Sequence, residues 1–64
     1  MGFKIEAAFE RNGDVYIKHG TCSQWVASNA HVVGFTPDRV IYKVNGEKNT
    51  RYFDAKTGSR GVIQ

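Results

Sequence analysis

The chain has 64 residues, a formal net charge of +3 and one cysteine, Cys22. This length predicts a single small β domain over residues 1–64, and one cysteine excludes an intramolecular disulfide. The small basic excess would help to attract nucleic acid or an acidic protein surface, without identifying either.

The sequence lacks several patterns that would indicate a location or a cofactor. No apolar run has the length of a signal peptide or a membrane span. A lone thiol is typical of a reducing compartment, so we expect a cytoplasmic protein. His19, Cys22 and His31 lack paired metal-ligand spacing, so we expect no metal and no cofactor. So small a scaffold gains stability from partners, which makes a homo-oligomer a hypothesis.

The N-terminal third predicts a hairpin. Residues 3–9 alternate, which places Phe3, Ile5, Ala7 and Phe9 on one face of a first strand. Asn12-Gly13 is a strong hairpin signal because both residues tolerate a positive φ. The second strand, residues 15–19, then has Tyr16 and Lys18 on its outer face.

Residues 21–29 have two interpretations. Thr21-Cys22-Ser23-Gln24 fits a capping box, which would start a short helical turn. The alternative is an extended arm. We favour the extended interpretation because so short a helix depends on tertiary packing rather than on its own propensity.

The C-terminal half predicts three strands joined by two turns. The strands are residues 30–35, 39–44 and 50–55; the turns are 36–38 and 45–49. Pro37 presets φ in the first turn. A last short strand is expected at 62–63. We therefore predict an all-β fold: a small five- to six-stranded antiparallel barrel or a strongly bent sheet.

The segment from 31 to 58 resembles the small Src-homology-three-like β-barrels of short phage and bacterial proteins. The resemblance lies in its strand spacing and turn residues: Val32-Val33-Gly34-Phe35, Arg39-Val40-Ile41-Tyr42-Lys43-Val44, Arg51-Tyr52-Phe53-Asp54 and Thr57-Gly58. It implies a binding module rather than an enzyme, one that binds nucleic acid, a peptide or a protein surface. It transfers no functional residue.

Aromatic and basic side chains are the candidate contacts. In a domain this small, the core must take up most of five aromatic residues: Phe3, Phe9, Phe35, Tyr42 and Phe53. Three remain as candidates for binding: Tyr16, Trp25 and Tyr52. Trp25 has two interpretations, an interface anchor or the plug of the core, and anchors of this kind dominate protein hot spots.

These residues lead to a ranked set of functions. We expect a non-enzymatic module that binds a larger protein, such as a phage-type inhibitor or regulator of a host protein, through Trp25, Tyr16, Tyr52 and Arg51. The alternative is nucleic-acid binding by cations that follow the backbone: Lys18, Arg39, Lys43 and Arg51. An enzyme would need a histidine or Cys22 in a pocket with a perturbed pKa.

Overall fold

The computed structural model of the chain describes residues 4–63, and these residues contain seven strands. The strands are β1 Ala7–Arg11, β2 Asp14–His19, β3 Cys22–Ala27, β4 Ala30–Phe35, β5 Arg39–Val44, β6 Thr50–Asp54 and β7 Arg60–Ile63. Within residues 4–63, no helix has the length and apolar character needed to cross a bilayer.

The strands form two antiparallel sheets, of order β1-β2-β3 and β4-β5-β6-β7. The all-β prediction is confirmed, and the open sheets fit its bent-sheet form. Neither sheet closes into a barrel among the described strand pairs. The described chain has one strand more than the five or six predicted, because the segment after β2 forms a full strand.

That extra strand is β3, which makes the helical interpretation of residues 21–29 wrong. Cys22 pairs with His19, and the ladder continues to Ala27, which pairs with Val15. A short isolated helix would have to repay a costly nucleus, whereas pairing with β2 satisfies backbone groups on both strands. The register shifts between Val15 and Tyr16, so Val26 has no partner on β2 and forms a bulge.

The first hairpin has the predicted turn but a different pattern of faces. Asn12 and Gly13 both have positive φ, 53° and 83°, as a two-residue hairpin turn requires. The turn pairs Phe9 with Tyr16. Ile5 is buried, precedes β1, and donates its backbone N–H to the Pro37 carbonyl at 2.8 Å. Because the regular strand begins only after Ile5, the prediction that Ile5 and Phe9 share a face is wrong.

The two sheets contribute to one core. Some of the aromatic residues expected there are buried in it, and others are exposed. Tyr42 and Phe53 are buried as predicted, whereas Phe35 is 43% exposed at the end of β4. Phe3 lies outside the described residues. Trp25 is 46% exposed, so it does not plug the core. The core residues are Ile5, Val15, Ile17, Val26, Ala27, Ala30, Val40, Tyr42, Phe53 and Ala55.

The sheets meet along two seams that differ in how they are joined. At the first, between β1–β2 and β4, the Ala30 N–H donates to the Gly13 carbonyl at 2.9 Å, and the Val32 N–H donates to the Glu10 carboxylate at 3.2 Å. At the second, between β3 and β7, the Arg60 guanidinium donates to the carbonyl of the bulged Val26. A single long side chain therefore joins the edges of the two sheets there.

Candidate binding surfaces

Three aromatic residues form a row across the three-stranded sheet. Tyr16 on β2 pairs with Phe9 on β1 and with Trp25 on β3, and directly opposed residues point to the same side of a sheet. That side is the outer one, since Val15 and Ile17 fill the core on the other. The Phe9 and Tyr16 rings stack, with centroids 5.6 Å apart and planes 12° apart.

Arg60 approaches this row from the neighbouring sheet. Its guanidinium carbon lies 5.6 Å from the Trp25 ring centroid and 5.0 Å from that of Phe53. Both distances allow cation–π attraction. Together with the bond to the Val26 carbonyl, these contacts place a cation beside an exposed tryptophan. We call Phe9, Tyr16, Lys18, Trp25 and Arg60 the aromatic face.

The two cations of the aromatic face are not neutralised locally. Lys18 is exposed, and its partners on the adjacent strands are Ala7 and Ser23, which carry no charge. Neither Lys18 nor Arg60 forms an ion pair with a carboxylate of residues 4–63. Both charges are therefore available to a ligand.

The outer side of the four-stranded sheet is built differently. Arg39 lies over the Tyr52 ring, 4.8 Å from its centroid, and its Nη2 atom is 3.5 Å from the Asp54 carboxylate. Lys43 lies on the same side of β5, opposite the buried Tyr42. We call Arg39, Lys43, Tyr52 and Asp54 the arginine face.

The Tyr52 ring also packs on the β7 backbone. Gly61 pairs with Tyr52 across the ladder. A Cβ atom at Gly61 would lie 2.7 Å from the Tyr52 ring and hydroxyl, closer than carbon atoms approach without repulsion. The glycine thus lets the ring lie flat on its own sheet, with Arg39 against it.

Arg51 belongs to neither face. It pairs with Tyr42 across the ladder, on the core side of β6, as does Phe53 with Val40. Its guanidinium makes a two-point ion pair with Glu47, with N···O distances of 2.7 and 3.0 Å. The hydrogen bond to Arg51 lowers the pKa of Glu47, and the same bond raises the pKa of Arg51.

The structure therefore separates the predicted binding residues into groups instead of bringing them together. Tyr16, Lys18 and Trp25 lie on the aromatic face, and Arg39, Lys43 and Tyr52 lie on the arginine face. The prediction that Tyr16 and Lys18 share the outer face of β2 is confirmed. No single basic track connects Lys18 with Lys43, because they lie on different sheets.

The histidines and the cysteine also lie apart. The Gly20-Thr21 turn places His19 opposite the exposed Cys22. His31 is on the other sheet, with Nδ1 3.2 Å from the Asn45 side-chain oxygen. Residues 4–63 contain no cluster of three or more histidine, cysteine or acidic side chains suited to a metal ion.

Sequence reasoning missed two members of the aromatic face, Phe9 and Arg60. The position of Phe9 could have been predicted from the sequence, because a two-residue turn at Asn12-Gly13 fixes the register and pairs Phe9 with Tyr16. Arg60 had no local signal, because its contacts with Trp25 and Val26 depend on how β7 meets a different sheet.

The chain matches no protein-family model, no curated protein and no solved structure.

Proposed function

We propose that this protein is a non-enzymatic binding module that occupies the surface of a larger protein, as a regulator or inhibitor of the phage or bacterial type. The aromatic face is its contact surface. The observation that carries the proposal is the row of Phe9, Tyr16 and Trp25, with Trp25 46% exposed at its end. We also propose that the fold is related to the small Src-homology-three-like β-barrels that the segment from 31 to 58 resembles.

The chemistry of the row suits a protein partner. Tryptophan, tyrosine and arginine dominate the hot spots of protein interfaces, where they offer large rigid surfaces with a polar end. Tyr16, Trp25 and Arg60 supply all three types within one face. The paired strands beneath them fix their positions, so little further ordering is needed on binding.

Nucleic acid is less well supported by the same geometry. Base stacking needs open ring faces, yet the Phe9 and Tyr16 rings stack on each other and Arg60 lies against Trp25. Arg39 and Arg51, two of the four cations proposed for a nucleic-acid track, are paired with Asp54 and Glu47. These contacts favour a protein.

The experiment is affinity capture from a bacterial lysate, with and without nuclease, at low and high salt. The bait is the wild type, Trp25→Ala or Val33→Ala. Val33 is 59% exposed on β4, so its variant removes exposed apolar surface from the other sheet. We expect a stoichiometric protein band with the wild type and Val33→Ala that survives nuclease and high salt and is lost with Trp25→Ala.

Two outcomes would overturn the proposal. One is retention of nucleic acid alone, released by high salt, as counterion release predicts for phosphate contacts. The other is a protein band that Trp25→Ala and Val33→Ala weaken equally. Urea unfolding of each bait confirms that it is folded.

A further inference from the structure

The charge pattern of the aromatic face specifies its partner further, and this inference rests on the proposed function. We infer that the face binds an acidic protein segment, one that places an apolar side chain on the aromatic row and carboxylates beside Lys18 and Arg60. Lys18 and Arg60 on the aromatic face have no ion pair with a carboxylate of residues 4–63, whereas Arg39 and Arg51 each have one.

Outside the aromatic face, Arg39 on β5 and Arg51 on β6 each already have a carboxylate. Asp54 lies 3.5 Å from Arg39, and Glu47 lies 2.7 Å from Arg51. A ligand carboxylate there would have to displace an internal one. Those arginines are thus occupied by the fold itself.

On the aromatic face, the cations lack such partners. Neither Lys18 nor Arg60 has an ion pair within residues 4–63. Arg60 is exposed and uses one donor on the Val26 carbonyl, while a guanidinium carries five N–H donors. The remaining N–H groups can donate to a carboxylate without loss of that bond.

The positions of the two cations set the layout of the ligand. Lys18 stands on the same side of β2 as Tyr16, two residues away, or about 7 Å along the strand. Arg60 stands beside Trp25, at the β3 end of the row. The row is therefore flanked by positive charge, which complements an apolar side chain flanked by negative charge and disfavours a basic partner.

Trp25 fluorescence can report binding, because Trp25 is the chain's single tryptophan and lies in the aromatic face. The probe is a short tryptophan-free peptide with two central leucines flanked by glutamates. It is titrated into the intact protein while Trp25 emission is followed. The control peptide has lysine at every glutamate position, and a short oligothymidylate represents nucleic acid.

Two variants localise the effect of charge. Lys18→Glu and Lys43→Glu change the net charge equally, but only Lys18 is on the aromatic face. We expect the glutamate peptide to change Trp25 emission, and Lys18→Glu to weaken its binding about tenfold, since both an attraction is lost and a repulsion is gained. Lys43→Glu should alter the affinity by less than about twofold.

The contrary outcomes are distinct. Equal loss in Lys18→Glu and Lys43→Glu, or equal binding of the lysine peptide, would overturn the inference. So would tighter, steeply salt-dependent binding of oligothymidylate, or no response to any probe. If the glutamate peptide fails while Trp25-dependent protein capture succeeds, the acidic partner is wrong and the proposed function stands. If both fail, both are wrong.

Discussion

Trp25 and Tyr52 each have an arginine against the ring, but their surroundings differ. Tyr52 lies flat on Gly61, and its arginine, Arg39, also faces Asp54. Trp25 stands at the edge of its sheet, nearly half exposed, beside Arg60, which has no ion pair with a carboxylate of residues 4–63. An aromatic ring with an arginine against it therefore belongs to a satisfied structural cluster at Tyr52 and to an open surface at Trp25.

The largest effect on stability is expected in the cluster of Tyr52, Arg39 and Asp54. The Asp54 carboxylate faces Arg39 and also accepts the backbone N–H groups of Lys56 and Thr57 at 2.8 and 3.2 Å. Asp54→Ala removes all three contacts and should lower the free energy of unfolding by about 2 kcal/mol. Urea unfolding measures this change.

The matched variant separates the turn from the ion pair. Asp54→Asn keeps a side-chain oxygen for the two N–H groups and removes only the charge, so it should cost less than about 1 kcal/mol. Equal losses in Asp54→Ala and Asp54→Asn would show that the ion pair with Arg39, and not the turn, holds this cluster.

A smaller effect is expected where Tyr52 lies on β7. Gly61→Ala would push the ring off the strand and away from Arg39, lowering the free energy of unfolding by about 1 kcal/mol. Gly34→Ala is the control, because a Cβ atom added at Gly34 would meet nothing within 4 Å. In the Tyr52→Ala variant, adding Gly61→Ala should no longer lower the free energy of unfolding. A cost that persists there would contradict the packing explanation.

The smallest effect is expected at the exposed pair of Glu47 and Arg51. The Glu47 pKa is lowered in the fold from its ordinary 4.5. Its contribution to stability is therefore present above pH 4.5, and it is lost as the pH falls through the lower folded-state pKa. The difference in unfolding midpoint between the wild type and Glu47→Gln should shrink in that acidic range. A difference independent of pH would contradict the ion pair.

Local chemistry explains which parts of the fold could be predicted. Asn12-Gly13 and Pro37 marked turns that the structure contains, and strict alternation set the faces of Tyr16 and Tyr42. These signals act between neighbours in the chain. The helical alternative at residues 21–29 arose from a capping pattern that pairing with β2 overrides.

The candidate binding surfaces could be predicted only in part, because they join distant segments. Alternation assigned Lys18 to the outer face of β2, but it could not show that Lys18 and Lys43 belong to different sheets. Nor could it show that Glu47 occupies Arg51, or that Arg60 reaches Trp25. Those facts depend on the arrangement of strands in space, which residue periodicity does not contain.

Arg60 has one more consequence, because a single side chain serves both the second seam and the aromatic face. It holds β7 to the bulge at Val26 while it lies against Trp25. If the aromatic face binds a partner as proposed, a change in the contacts of Arg60 on binding also changes how firmly β7 is held to Val26, and the coupling is reciprocal. A partner that engages Arg60 in place will brace the joint between the sheets, and one that draws Arg60 away will loosen it.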